Sequence, residues 1–187
     1  MQEEVEFILD HCKEKMAAAV EHLEKELVHI RAGKANPAML DGVHVEYYGS
    51  QTPLNQVANV STPDARTIAV QPWEKNLIPQ IEKAILNANL GLNPDNNGEI
   101  IRINIPVLTE ERRRGLVKQA HQEGENAKVS VRGARKDSND SLKKLQKDGL
   151  SEDIEKDAEA EVQKMTDEFG KKIDALVQAK EEDIMTI

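Results

Sequence analysis

The sequence predicts an α+β protein, an elongated antiparallel three-helix bundle with a small β/α/β module inserted in it. Apolar residues recur at spacings of three and four over residues 3–31, 109–147 and beyond 151, the period of a helix buried on one side. Between residues 41 and 105 the period drops to two, with one helical interlude. The composition agrees: 39% of residues are hydrophobic but only 3% aromatic, which favours helices packed through Leu, Ile, Val, Ala and Met over a β-sandwich.

Residues 3–31 read as one helix with the stripe Val5, Leu9, Cys12, Met16, Ala19, Leu23, Leu27 or Val28, and Ile30. Gly33, with Pro37 beyond it, marks its end. Val43, Val45 and Tyr47 alternate with His44, Glu46 and Tyr48 as a half-buried strand. Residues 53–62 and 67–71 offer two more strands. Residues 75–90 return to helical spacing through Leu77, Ile81, Ile85 and Leu86, with Pro79 in the first turn, where a missing N–H matters least. Residues 93–98 read as a turn, and residues 99–105 alternate again through Ile101, Ile103 and Ile105. The expected module therefore has about four strands and one helix.

Thr109 reads as an N-cap, followed by Glu110 and Glu111 where the helix dipole favours acids. The helix it opens runs to about Lys147 with the stripe Leu116, Ala120, Ala127, Val131, Ala134, Ser138, Leu142 and Leu145. Asp148-Gly149 ends it, and Ser151 starts a last helix with the stripe Ile154, Ala158, Val162, Met165, Phe169, Ile173 and Leu176. Positions 116, 127 and 138, and 154, 165 and 176, repeat at eleven residues. That period is ~3.67 residues per turn, so nearly straight helices are expected, each roughly 50 Å long.

The module leaves at the end of the first long helix and returns at the start of the second, and the short turn at Gly149 makes the last two antiparallel. The expected domains are a bundle of residues 1–30 and 106–187 and a module of residues 31–105. Linkers near 31–36 and 105–107 carry Gly33, Pro37 and Pro106, the expected hinge positions.

Several functions are disfavoured. No apolar run approaches the ~18 residues that span a bilayer. Glu3, Glu4 and Glu6 make the N-terminus unlike a secretory signal or transit peptide. Cys12 is the one cysteine, so a reducing cytoplasm is expected and an internal disulfide is impossible. Gly33-Lys34 lacks the upstream glycine of a phosphate loop, and no G-x-G-x-x-G occurs. His11, His22 and His29 share a helical face but lie ~16 and ~10 Å apart along the axis, too far to ligate one metal. No Ser, Cys or Thr has a base at motif spacing. No catalytic residue, metal or cofactor is expected.

Charge is more informative by segment than as the total of −9. Residues 1–30 carry −5, residues 31–109 carry −1, residues 110–147 carry +5 and residues 148–187 carry −8. Within the basic segment Lys128, Arg132, Arg135 and Lys136 fall on one broad helical face. Arg112, Arg113 and Arg114 stand near the start of that helix, and Arg31 and Lys34 at the first linker. A row of guanidinium forks suits a phosphate backbone. With few aromatics to stack on bases, recognition of backbone and shape is expected, as for folded RNA. The same charges could instead be a solvated surface, neutralised by the acidic helices. Of the adjacent Tyr47 and Tyr48, one should face the module core and the other solvent. The competing functions are a helical adaptor or chaperone that binds proteins through its acidic faces and, more remotely, a small hydrolase using carboxylates of the module.

Stretches of this sequence in order along the chain resemble the ribosome recycling factor family. They are Ile30-Arg31-Ala32-Gly33-Lys34-Ala35, Leu40-Asp41-Gly42, and Val45-Glu46-Tyr47-Tyr48-Gly49 running on to Thr52-Pro53-Leu54. Further along come Gly91-Leu92-Asn93-Pro94, Leu108-Thr109-Glu110-Glu111-Arg112-Arg113, Val131-Arg132 through Arg135 to Asp137, Asn139 and Asp140, and Ser151-Glu152-Asp153. The resemblance implies an L-shaped cytoplasmic monomer that splits post-termination 70S ribosomes. It would bind 23S ribosomal RNA of the 50S subunit and act with elongation factor G, which uses GTP. It assigns RNA contacts to Arg31, Lys34, Arg132 and Arg135. Two positions depart from the family pattern: Lys34 stands where many members have arginine, and Gly133 where a better helix former is usual.

Overall fold

A computed structural model describes residues 1–186. In chain order the elements are α1 (Gln2–His29), β1 (His44–Tyr47), β2 (Ser50–Pro53), β3 (Ala58–Asp64), β4 (Thr67–Pro72), α2 (Ile78–Asn87), β5 (Pro94–Asn96), β6 (Ile101–Asn104), α3 (Glu110–Lys147) and α4 (Glu152–Met185). Single 3-10 turns cover Pro37–Leu40, Leu54–Gln56 and Lys75–Leu77. Two compact units result, Met1–Ala32 with Thr109–Ile187, and Gly33–Leu108.

In the helical unit α1, α3 and α4 pack against one another. The predicted caps form: Thr109 accepts from the Arg112 N–H at 3.1 Å and Ser151 from the Ile154 N–H at 3.2 Å, each worth about 1 kcal/mol. The eleven-residue period runs through the buried set of all three helices. Val5, Met16 and Leu27 are buried on α1, Ala120, Val131 and Leu142 on α3, and Val162, Ile173 and Ile184 on α4. Leu116, Ala127 and Ser138 form a second buried line on α3, as expected. On α4 the expected Ala158, Val162, Phe169 and Ile173 are buried, whereas Ile154 is 47% exposed and Met165 and Leu176 are half-buried. The buried eleven-residue line therefore lies three residues from the line 154, 165 and 176, a rotation of ~60° about the helix axis. Both lines are apolar, so spacing alone does not choose between them. On α1, Leu27 is buried and Val28 exposed. The Cys12 thiol is sealed between helices, 3.9 Å from the Ala134 carbonyl.

Close approach of α3 and α4 depends on Gly124, where a β-carbon would lie 2.6 Å from the Val177 Cγ2. Gly133, by contrast, is exposed, with nothing within 4 Å of such an atom. At the other end of α4, Glu155 is buried, at 5% exposure. Its pKa is raised, first by a hydrogen bond with the Glu159 carboxyl, then by burial and by repulsion from Glu159. Lys143 opposes the shift.

The second unit contains six short strands rather than about four. β1 and β2 form a two-stranded antiparallel hairpin, and the other four form an antiparallel sheet in the order β3-β4-β6-β5. Register pairs Tyr47 with Ser50, leaving Tyr48 (φ 48°) and Gly49 (φ 80°) as a two-residue turn with both central residues left-handed. Such turns usually announce themselves as Asn-Gly or Asp-Gly, and a tyrosine in the first position conceals this one. The strand expected over 53–62 is interrupted by the 3-10 turn at Leu54–Gln56, and β3 begins only at Ala58. A turn was expected where Pro94–Asn96 pairs with β6. Three residues are too few for alternation to register, and proline is tolerated because β5 is an edge strand. Val43, Val45, Ile68, Val70, Ile81, Ile85, Ile101 and Ile103 form the heart of this unit's core.

These contacts generate two tests. Gly124→Ala should destabilise the protein by about 1 kcal/mol, because overpacking of ~1–3 kcal/mol outweighs a helix-propensity gain of about 1 kcal/mol. Gly133→Ala should keep most of that gain, and urea unfolding of both variants provides the comparison. For Glu155 the raised pKa means that its contribution favours the fold below the ordinary glutamate range and is lost as pH rises through the raised value. Glu155→Gln should therefore increase stability at neutral pH, with the gain shrinking in acid; denaturant midpoints across that range provide the measurement.

Candidate nucleic-acid interface

Burial of one side of α3 decides what its other side presents. With Ala127, Val131, Ala134 and Ser138 in the core, Lys128, Arg132, Arg135 and Lys136 emerge together as a ridge, spanning ~12 Å along the axis. Arg132 and Lys136 are exposed, while Arg135 and Lys128 are half-buried. Among the described residues Arg132, Arg135 and Lys136 make no ion pair. Their charges are available to an external anion.

Lys128 is held differently. Its Nζ lies 2.7 Å from Asp174 Oδ1 on α4 and 3.8 Å from Glu125 Oε1 on its own helix. The hydrogen bond to Asp174 raises the lysine pKa, against an opposing effect of burial and of the neighbouring Arg132 charge. Similar links join Lys15 of α1 to Asp137 at 3.8 Å and His121 to Glu181 of α4 at 3.0 Å. Acidic α4 thus neutralises one ridge cation, Lys128, and the other three are left unpaired among the described residues. Contacts between helices decide which, and linear spacing does not encode them.

The other predicted cations stand on other segments of the chain. Arg31 is exposed just beyond α1, in the helical unit. Lys34 belongs to the second unit, is half-buried and is already engaged. In the arginine triplet, Arg114 pairs with Glu110 at 2.6 Å, and the Arg113 Nε is buried without a partner among the described residues.

The three hinge candidates lie in the second unit. Gly33 has φ +72°, and a β-carbon there would stand 2.7 Å from Leu108 Cγ, so both conformation and space call for glycine. Pro37 opens a 3-10 turn whose Ala38 N–H donates to Asn36 Oδ1 at 2.9 Å. Just before it, the Ala35 N–H donates to the Ala65 carbonyl at 2.7 Å, and the Ile105 N–H donates to the Arg66 carbonyl immediately before Pro106.

Trp73, not singled out in the sequence, is 67% exposed and borders a groove of about 540 Å³ with Pro37, Pro53, Leu54 and Val60. Asp41 supplies the one carboxylate of its lining, so it lacks the converging acids that a hydrolase would need. Tyr47 packs against the module core and donates to Glu74 at 3.1 Å, while Tyr48 is 82% exposed. One ring thus faces the core and the other solvent as expected, but for a different reason: Tyr48 is a turn residue beyond the end of β1 and not a strand neighbour of Tyr47. His11 stacks on Phe7 with ring centroids 5.9 Å apart. Among the described residues no group of three or more His, Cys, Asp or Glu could hold a metal ion, and no helix is long and apolar enough to cross a membrane.

Known proteins resemble this chain over nearly its full length. The family model described as ribosome recycling factor matches residues 23–185. The ribosome-recycling factor of Flavobacterium johnsoniae is 59% identical over 187 residues, covering all of both chains. That of Parabacteroides distasonis is 61% identical over 176 residues, covering 94% of each. Among solved structures, a ribosome recycling factor in solution superposes with a TM-score of 0.76 at 40% identity, covering 98% of both chains. The T. thermophilus ribosome recycling factor, described together with E. coli elongation factor G bound to the E. coli post-termination complex, gives a TM-score of 0.62 at 48% identity, covering 97% of this chain and 99% of that one. With the match running through the ridge, both units and nearly the full length, this chain belongs to the ribosome recycling factor family.

Proposed function

We propose that this protein disassembles post-termination ribosomes by binding large-subunit ribosomal RNA and acting with elongation factor G to separate the subunits. Family membership supports the recycling role, and the T. thermophilus relative, described with E. coli elongation factor G on the E. coli post-termination complex, supports the ribosome and elongation factor G as partners. The observation that carries the RNA-binding part is the unpaired state of Arg132 and Arg135 on α3. Their guanidinium groups can donate paired hydrogen bonds to phosphate oxygens, with Lys136 adding charge. Arg31 and Lys34 would extend the contact from other parts of the chain, and Lys128 would contribute least because Asp174 already holds it.

On this reading the protein is a cytoplasmic monomer that catalyses no reaction and binds no cofactor. GTP is consumed by elongation factor G, and the work is mechanical. The bundle is anchored on RNA while the second unit is displaced, with the chain bending about Gly33, Pro37 and Pro106.

Sedimentation with purified large subunits tests the anchor. Arg135→Ala should weaken binding by on the order of 1–3 kcal/mol, roughly 5- to 150-fold, with an unchanged melting temperature. Wild-type binding should also fall steeply as salt rises, whereas an adaptor holding a protein through apolar surface would respond little. Unchanged affinity in Arg135→Ala would overturn the assignment.

A further inference from the structure

Lys128 is the ridge cation with an acidic partner on another helix. The pair is built into the packing. Lys128 follows Gly124 by one turn of α3, and Asp174 precedes Val177 by one turn of α4. Gly124 and Val177 mark the close approach of the two helices. Backbone positions on both sides are therefore fixed where the ammonium meets the carboxylate. A groove of about 250 Å³ opens there, lined by His121, Gly124, Glu125, Lys128, Asp174 and Gln178 among others. The side chains of Lys128 and Asp174 are 31% and 66% exposed, so the pair can be reached from solvent.

We propose that Asp174 is a specificity-determining residue for RNA binding, a counter-charge that withholds Lys128 from isolated phosphates and yields it to a backbone already seated on Arg132 and Arg135. The inference rests on the RNA-binding reading above. An isolated phosphate approaching Lys128 meets a neutralised ammonium and is repelled by the Asp174 carboxylate. An exposed ion pair is worth only ~0–1 kcal/mol, so it can be exchanged for a better partner. Once the neighbouring arginines hold the backbone, the next phosphate arrives at high effective concentration, and Lys128 can change partners. Asp174 thereby suppresses attachment to RNA of the wrong shape more than attachment to the right one. It acts through Lys128 and touches no RNA itself.

The test measures binding of full-length protein to an unrelated RNA duplex and to purified large subunits across a salt series. Asp174→Asn should tighten binding to the unrelated duplex several-fold and steepen its log–log salt dependence by roughly 0.7–0.9, the signature of one more neutralised phosphate. Binding to large subunits should change less. Adding Lys128→Ala to Asp174→Asn should restore the wild-type slope. Asp157→Asn makes the same change in net charge ~25 Å away along α4 and should leave the slope alone. A pair with only a structural role would shift the melting temperature and neither slope. An unchanged duplex slope in Asp174→Asn, or an equal change in Asp157→Asn, would overturn the inference. If Arg135→Ala still weakens binding to large subunits in that case, the RNA-binding reading survives without it. If Arg135→Ala has no effect, that reading fails as well.

Discussion

Each of the three long helices carries an apolar line too narrow to be stable alone, and mutual burial of these lines is the constraint on which the helical unit depends. The eleven-residue period keeps Val5, Met16 and Leu27, Ala120, Val131 and Leu142, and Val162, Ile173 and Ile184 facing inward over many turns. A helix that follows this period needs little supercoiling to remain in contact. Once the inner side of α3 is set, its outer side is set too. Packing therefore determines that Arg132 and Lys136 point to solvent and that Lys128 meets Asp174. Electrostatic function here follows from hydrophobic geometry.

The charge distribution gives that geometry a direction. A molecule of net charge −9 should be repelled by RNA on most of its surface. Concentrating positive charge on α3, with α1 and α4 acidic, leaves one favourable side from which to approach a polyanion. Acidic α4 supplies the ion pair that trims the ridge, Lys128 with Asp174, and a solvent-accessible pair of this kind is weak. Its value lies more in discrimination between partners than in stability.

Much of this was legible from residues in order. The long helices, the caps at Thr109 and Ser151, the stripe of α3 and the four cations of its ridge follow from periodicity and local chemistry alone. Features that depend on a second segment were less legible. The α4 stripe is legible at Ala158, Val162, Phe169 and Ile173 but not at Ile154, Met165 and Leu176, because two apolar lines run along that helix and contact with α1 and α3 selects one. The β1–β2 hairpin was hidden by Tyr48 in a turn position that usually reveals itself through Asn or Asp. Pairing of Lys128 with Asp174 was out of reach, since 46 residues separate the partners in sequence. No spacing pattern in the sequence marks Trp73, and only the folded module shows that it stands in solvent.

The buried thiol of Cys12 has a consequence for experiment. It is the one cysteine of the chain, 1% exposed and enclosed where α1 meets α3. An alkylating reagent can reach it only when those helices part, so the labelling rate reports the opening equilibrium of the bundle. The protein thus carries a native reporter of local breathing that needs no engineered label. The same sulfur could show whether docking on a partner clamps the helices together or loosens them.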